Sequence, residues 1–156
     1  QYTGNNFSVS TNSAAMTSDS KGSAESYTGA DMSIGAEIWV GSESKKKAVL
    51  IQAKRRSKLS NPAEQKRLLE QIKKMQRFTN HPKVMVIEEY YGGIPVIRSA
   101  ATMLAGDQPR EFELHRWLAR RFVRTFDGDR SPLLYESAQS ADLDKIWVHA
   151  EYISRK

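Results

Sequence analysis

Residues 29–54 have the sequence GADMSIGAEIWVGSESKKKAVLIQAK, and this stretch decides the fold. From Met32 to Val40 every second residue is apolar, which predicts a β-strand with one buried face. Residues 41–44 (Gly-Ser-Glu-Ser) have the composition of a turn. Residues 48–51 (Ala-Val-Leu-Ile) form a continuous apolar run, typical of a strand that is buried on both faces. The sequence therefore predicts a β-hairpin.

The chain beyond the hairpin alternates between helix and strand patterns. Asn61 can cap a helix that begins at Pro62, with Glu64 in the capping-box position, and apolar residues follow at helical spacing up to Phe78. Pro95 predicts an edge strand around it, because proline has no backbone N–H to donate. We expect an α/β fold, in which a central mixed β-sheet is flanked by helices. The predicted strands are 30–40, 48–55, 83–89, 94–99 and, at an edge of the sheet, 145–153; the predicted helices are 62–79 and 111–126.

The N-terminal stretch differs in composition from the rest of the chain. Sixteen of the first 28 residues are Ser, Thr, Asn or Gly, and few of the others are large and apolar. This composition favours a loop over regular structure. We therefore predict a Ser/Thr-rich loop or arm over residues 1–24 and a single α/β domain over residues 25–156.

The overall composition excludes several classes of protein. The chain has 156 residues and no cysteine, which excludes disulfides, cysteine-ligated zinc and thiol nucleophiles. It has no apolar run long enough to cross a bilayer and no hydrophobic signal-peptide core. We expect a cytoplasmic protein that does not interact with membranes.

Positive charge is concentrated in one part of the chain. The net charge is +6, but residues 45–77 contain twelve basic and only two acidic side chains. A field of this kind attracts nucleic acid, while the alternative is a solvated helix face next to a lysine-rich loop. The side chains that we predict to bind nucleic acid are Arg55, Arg56, Lys58, Lys66, Lys73, Lys74 and Arg77.

Three polar residues occupy the ends of the predicted hairpin. If the tip lies between Ser42 and Glu43, the numbers of paired residues sum to about 85, which sets Asp31 across from Lys54. Gln52 lies two residues before Lys54, so the strand's period of two sends both side chains to the same face. A carboxylate, an amide and an ammonium group would then converge at the end of an apolar hairpin.

This set of groups matches the requirements of phosphodiester hydrolysis. The reaction needs a hard cation bound by oxygen ligands and a positive charge close to the phosphorus. Asp31 and Gln52 can supply the oxygen ligands, Lys54 the positive charge, and Glu25 a further carboxylate. We therefore predict Asp31, Gln52, Lys54 and Glu25 as catalytic residues, with the two carboxylates and Gln52 as ligands of Mg²⁺ or Mn²⁺.

Residues 25–88 resemble the PD-(D/E)XK nuclease superfamily. Its signature is an Asp at the start of one strand and an acidic residue or Gln, any residue and Lys on the next, followed by a helix. Here Asp31 and the Q-x-K variant Gln52-Ala53-Lys54 match that signature. The resemblance implies a restriction endonuclease-like fold and metal-dependent endonucleolytic cleavage of DNA. Many relatives cut as dimers, so a homodimer stays open, as does membership of a larger chain or complex.

Two other functions fit the same residues. Gln52 replaces an acidic ligand, and the family includes inactive relatives, so the chain could be a non-catalytic nucleic-acid-binding module on the same fold. It could also be the interaction domain of a larger defence or mobile-element protein. For Asp31 and Lys54 themselves, the purely structural alternative is a cross-strand surface salt bridge.

Four further residues are predicted to have structural roles. We expect Gln71 to face solvent on its helix and His115 to lie in the core, because it falls on an apolar helical stripe. Tyr90 and Tyr91 could stack on nucleobases, but packing in the core or at its rim is the favoured interpretation.

Overall fold

The computed structural model describes residues 2–3, 7–14, 27–124, 127–140 and 143–152. Within these residues eight strands form one mixed sheet, and six of them lie between residues 27 and 152. The strands are β1 (Tyr2–Thr3), β2 (Phe7–Ala14), β3 (Met32–Val40), β4 (Glu43–Arg55), β5 (Lys83–Ile87), β6 (Val96–Ser99), β7 (Glu111–Glu113) and β8 (Asp144–Tyr152). The helices are α1 (Pro62–Met75), α2 (Ala100–Leu104), α3 (Leu114–Trp117), which continues as a π-helical turn over Leu118–Phe122, and α4 (Pro132–Ser140). A 3₁₀ turn, Arg56–Ser60, joins β4 to α1.

The strand order across the sheet is β1-β2-β8-β3-β4-β5-β6-β7. β3 pairs in parallel with β8, β4 pairs in parallel with β5, and the other neighbours are antiparallel. The predicted α/β class, with a mixed sheet flanked by helices, is confirmed. Among the described residues, no helix has both the length and the apolar character needed to cross a membrane.

The last strand and the N-terminal segment differ from the prediction. We predicted β8 at an edge, but it lies between β2 and β3. Its second partner, β2, falls in residues 1–24, where we predicted a loop or arm, and so does β1. Sequence reasoning missed β2 because it is largely polar, while backbone pairing requires no apolar side chain. The rest of residues 1–24 lies outside the described residues.

Two apolar clusters cover the faces of the sheet. β4 contributes to both, because Ala48 and Leu50 point to one face while Val49 and Ile51 point to the other. The first face packs against α1 and α4 and the second against α3 and its π turn, whose buried side chains include Trp117. The continuous apolar run in β4 therefore reflects burial on both sides, as predicted.

The hairpin between β3 and β4 has a register that differs from the predicted one by two residues. Met32 pairs with Ile51 and Val40 with Glu43, so the tip is Gly41-Ser42. Gly41 has φ +63°, in the left-handed region that tight two-residue hairpin loops require. The prediction that Asp31 lies across from Lys54 is therefore wrong.

The corrected register still leaves the polar residues on one face of the sheet. The backbone N–H of Asp31 donates to the carbonyl of Ile51 at 3.0 Å, just beyond the last residue pair of the ladder, and this sets Asp31 opposite Gln52. A register shift of two residues does not exchange the faces of a strand. Asp31, Gln52 and Lys54 thus belong to the face covered by α1.

The helix predicted over residues 111–126 begins late. Residues 111–113 form β7, which pairs with β6, so the predicted edge strand around Pro95 has a neighbour on both sides. The cross-strand pair of Phe112 with Ile97 and the ion pair between Glu111 and Arg98 stabilise this arrangement. Helix α1 begins as predicted, because the Asn61 side chain accepts hydrogen bonds from the backbone N–H groups of residues 63 and 64. Helices α2 and α4 were not predicted.

Residues 127–131 cross from one face of the sheet to the other beside β4. Asp129 exchanges two backbone hydrogen bonds with Ala48, at a level that the shorter β5 does not reach. On one side of this crossing, the Asp127 carboxylate pairs with Lys83 Nζ at 2.8 Å. Its backbone carbonyl accepts from Lys47 Nζ at 2.6 Å. The crossing therefore joins the N-terminal half of β4 to the C-terminal part of the chain.

Candidate functional site

Asp31 and Gln52 are in direct contact in the middle of the sheet, where β3 begins and β4 nears its end. Gln52 is 2% exposed, and its Nε2 donates a hydrogen bond to Asp31 Oδ2. The same carboxylate oxygen also accepts from the backbone N–H of Ala53 at 2.8 Å. Asp31 is thereby fixed at three points to β4, counting its own backbone N–H, and its position does not depend on a partner outside the chain.

The sequence before Asp31 lets the chain enter this position. Gly29 has φ +74°, and a Cβ atom added to it would lie 2.2 Å from the backbone oxygen of Gln71 on α1. Both the backbone conformation and the close approach exclude a side chain at this residue. Gly29 therefore allows the chain to pass under α1 and deliver Asp31 to the end of β4.

The amide oxygen of Gln52 is buried, and it has no hydrogen-bond partner in the part of the chain that the structure describes. An unsatisfied buried carbonyl oxygen costs about 1–3 kcal/mol. A half-turn of the amide would exchange its nitrogen and oxygen and turn the oxygen toward the Asp31 carboxylate. Two oxygens that face each other need a cation between them. Asp31 and Gln52 would then offer two oxygen ligands, the type that a hard metal ion prefers.

The number of protein ligands at this position is small. No group of three or more His, Cys, Asp and Glu side chains that could hold a metal occurs within residues 27–124, 127–140 and 143–152. Glu25, the further ligand that we predicted, lies outside the described residues. A metal bound here would thus have Asp31 and Gln52 as protein ligands, and Mg²⁺ often takes one or two carboxylates and completes its shell with water and phosphate oxygens.

Lys54 is held by a residue that sequence reasoning had assigned to another role. Its Nζ lies 3.4 Å from Glu64 Oε2, with both side chains largely buried. We assigned Glu64 only to the cap of α1, where an acidic residue in the first turn is common. The cross-strand salt bridge between Asp31 and Lys54 is not among the ion pairs of the described residues. The missed signal was that α1 starts only eight residues after Lys54, which returns its first turn to the end of β4.

The predicted nucleic-acid-binding residues fall into two groups. Arg56 is bound by two carboxylates, those of Glu88 and Glu111. Hydrogen bonds from Arg56, followed by those from Arg98, lower the pKa of Glu111 to about 2, against the opposing effect of burial. Of the other predicted residues, Lys74 is half-buried. The exposed ones are Arg55, Lys58, Lys66, Lys73 and Arg77.

A pocket of about 580 Å³ lies between α1 and the connection from α2 to β7. Its walls include Leu69, Met103 and Pro109, together with Arg56 and Arg98. Of the predicted site residues only Arg56 lines it, and the carboxylates of Glu88 and Glu111 already occupy that guanidinium group. The pocket is therefore separate from the Asp31–Gln52 contact.

All four side chains with predicted structural roles lie in environments that differ from the prediction. Gln71 is buried rather than solvent-facing, and its amide oxygen has no partner among the described residues. Tyr90 and Tyr91 are exposed, so they do not pack in the core. His115 is also exposed, because its helix starts at Leu114 and changes to a π turn after four residues, which breaks the apolar stripe.

Comparisons of the chain with models of protein families, with curated proteins and with solved structures found no match. Any functional conclusion therefore depends on the residues themselves and on how the fold arranges them.

Proposed function

We propose that the protein is a metal-dependent endonuclease that hydrolyses phosphodiester bonds of DNA. The observation that carries the proposal is the contact between Asp31 and Gln52, on the same face of the sheet as Lys54. Two oxygen-bearing side chains and an ammonium group lie at the end of this hairpin, and the buried amide oxygen of Gln52, which has no partner among the described residues, is costly to maintain without a ligand. They are also the groups that phosphodiester hydrolysis uses.

Each residue has a distinct role in this proposal. Asp31 and Gln52 would hold Mg²⁺ or Mn²⁺, with Glu25 as a possible further ligand. Such an ion would polarise the phosphate and lower the pKa of a bound water. Lys54 would stabilise the negative charge that develops on the phosphate oxygens, and Glu64 would position its ammonium group.

The exposed basic side chains would bind the DNA backbone. Lys66 and Lys73 lie on the polar side of α1, whose opposite side packs on the sheet, and Arg77 lies in the turn just after the helix. Arg55 and Lys58 extend the positive surface past the end of β4. Sequence-independent attraction of this kind gives affinity that falls steeply with salt.

The experiment that tests the proposal measures metal binding and cleavage together. Calorimetric binding of Mg²⁺ or Mn²⁺, and cleavage of a plasmid in the presence of the ion, should both disappear in Asp31→Ala. Asp107→Ala is the matched control, because it removes an exposed carboxylate in the α2–β7 connection. If the parent protein binds neither ion and cuts no DNA, the proposal is wrong.

A second candidate is a nucleic-acid-binding module without catalysis. One observation favours it: Gln52 Nε2 and the backbone N–H of Ala53 satisfy Asp31 Oδ2 without any metal. In that case the Asp31–Gln52 contact would only fasten β3 to β4. Salt-sensitive DNA binding in a protein that binds no divalent ion would support this candidate.

A further inference from the structure

The turn between β5 and β6 presents two tyrosines to solvent. Tyr90 is 67% exposed and Tyr91 is fully exposed. Eight large hydrophobic side chains are exposed in the described part of the chain, and four of them, Ile87, Tyr90, Tyr91 and Ile94, lie in or next to this turn. We refer to residues 88–93 as the tyrosine turn. Exposed aromatic side chains concentrated on one short turn indicate a contact with a ligand or partner.

The tyrosine turn is fastened to the protein at its base. Glu88 pairs with Arg56, and Glu89 accepts a hydrogen bond from the backbone N–H of Ser57 at 3.1 Å. Within the turn, the N–H of Gly93 donates to the carbonyl of Tyr90 at 3.1 Å. Gly92 has φ +78°, a conformation that favours glycine. The turn therefore presents its tyrosines in a defined position.

The surroundings of the turn are basic. The hydrogen bonds from Ser57 lower the pKa of Glu89, and the positive charges of Arg55 and Lys58 lower it further. Both basic side chains are exposed, while the carboxylates of Glu88 and Glu89 are already engaged. Two exposed cations thus lie close to Glu89, at the base of the tyrosine turn.

The tyrosine turn lies at the same end of β4 as the Asp31–Gln52 contact. β4 and β5 are parallel, and their last pair is Arg55 with Ile87, so the tyrosine turn continues past the end of β4. Gln52 precedes Arg55 by three residues, which is about 10 Å along a strand. A polynucleotide with one phosphate at the candidate site could therefore place its neighbouring nucleotides on the tyrosine turn.

We propose that Tyr90 and Tyr91 form a stacking site for unpaired nucleobases of a bound DNA strand. This inference rests on the proposed function in so far as the protein must bind nucleic acid. Every base has a face on which a phenol ring can stack, whereas bases in a duplex already stack on one another. The site therefore gives the protein a preference for single-stranded or locally opened DNA, with Arg55 and Lys58 on the adjacent phosphates.

The test is a comparison of affinities for two probes. Fluorescence anisotropy of a labelled oligothymidylate and of a labelled duplex of equal length is measured with EDTA present, so that cleavage cannot consume the probe. Tyr91→Ala should weaken single-strand binding by about 5- to 100-fold and leave duplex binding within twofold. Tyr91→Phe, which keeps the ring, should retain the parent affinity, and Tyr90→Ala should behave like Tyr91→Ala.

Leu133→Ala is the matched control, because Leu133 is an exposed apolar residue on α4 and should affect neither probe. Circular dichroism and thermal unfolding verify that each variant is folded. If the parent binds DNA but Tyr91→Ala does not change single-strand affinity, or reduces both affinities equally, the stacking site is refuted and the proposed function stands. If the parent binds neither probe, both proposals fail.

Discussion

Replacing Gln52 by glutamate would place a second carboxylate against Asp31 in a position that is 2% exposed. The amide now donates a hydrogen bond to Asp31 Oδ2, and an ionised carboxylate cannot. Without a cation, the pair must either remain doubly ionised or take up a proton. The consequence for stability can be estimated along both routes.

Both routes give a similar destabilisation. Two unit charges about 3.5 Å apart repel by about 5 kcal/mol at an effective dielectric constant near 20. If the pair instead holds one proton at pH 7.5, the pKa of the new carboxyl group is raised about 3 units above its unfolded value of about 4.3, which corresponds to about 4 kcal/mol. We expect Gln52→Glu to lower the free energy of unfolding by about 4 kcal/mol at pH 7.5.

The sign of the pH dependence follows from the raised pKa. A carboxyl group whose folded pKa exceeds its unfolded pKa destabilises the protein only where the unfolded state would release the proton. The deficit of Gln52→Glu should therefore be small below pH 4.3 or so and grow as the pH rises toward 7.5. Mg²⁺ at about a hundred times its dissociation constant should restore about 2.7 kcal/mol.

The assay is denaturant unfolding of the full chain at pH 5 and pH 7.5, with and without Mg²⁺. The double variant Asp31→Asn, Gln52→Glu is the control, because it exchanges the amide and the carboxylate and should recover most of the stability without metal. If Gln52→Glu is as stable as the parent at pH 7.5, the two positions do not share a site. If it is destabilised but Mg²⁺ restores nothing, the contact is not a metal site.

Three further predictions concern the lysines. Lys54→Ala removes the proposed catalytic charge but none of the proposed metal ligands, so cleavage should fall at least 100-fold while DNA affinity changes less than threefold. A parallel loss of affinity would assign Lys54 to binding instead. Lys66→Glu with Lys73→Glu should weaken binding to all DNA sequences and reduce the slope of log affinity against log salt by about two; an unchanged slope would show that this side of α1 serves solubility. Burial lowers the pKa of Lys47 from 10.5 to about 8. The buried ammonium group therefore destabilises the folded protein by about 3 kcal/mol below pH 8, and this destabilisation disappears as the pH rises toward 10.5. Lys47→Met removes this charge but also the hydrogen bond to Asp127, so it should raise the free energy of unfolding by about 1–2 kcal/mol at pH 7 and by less at pH 10. Denaturant unfolding at both pH values measures the effect, and destabilisation at pH 7 would contradict it.

The sequence predicts those features of the fold that depend on local patterns. The alternation from Met32 to Val40 and the capping residue Asn61 identified the hairpin and α1, because burial and capping act over a few residues. The register was wrong by two residues, since it depends on the loop conformation at Gly41 and not on the apolar pattern. The shared face of Asp31 and Gln52 was nevertheless predicted, because a shift of two residues preserves the face.

Features that depend on distant partners were not predictable. Lys47 lies in a run of three lysines that resembles a solvated turn, yet it is 1% exposed because Asp127, eighty residues later, accepts its hydrogen bond. Residues 111–113 appeared to continue a helical stripe, but pairing with β6 makes them a strand. At the candidate site, the contact between Lys54 and Glu64 follows from how α1 packs, which no local pattern specifies.

The crossing segment at residues 127–131 has a consequence for how the protein unfolds. It supplies the backbone partner of Ala48 and the carboxylate that Lys83 requires, so the centre of the sheet is incomplete until the C-terminal third has arrived. A chain shortened to residue 124 would bury Lys47 and Lys83 without the carbonyl and the carboxylate of Asp127 that accept from them. We therefore expect amide protons in β4 and α4 to exchange with solvent through the same opening event, which makes β4 and the C-terminal third of the chain one cooperative unit.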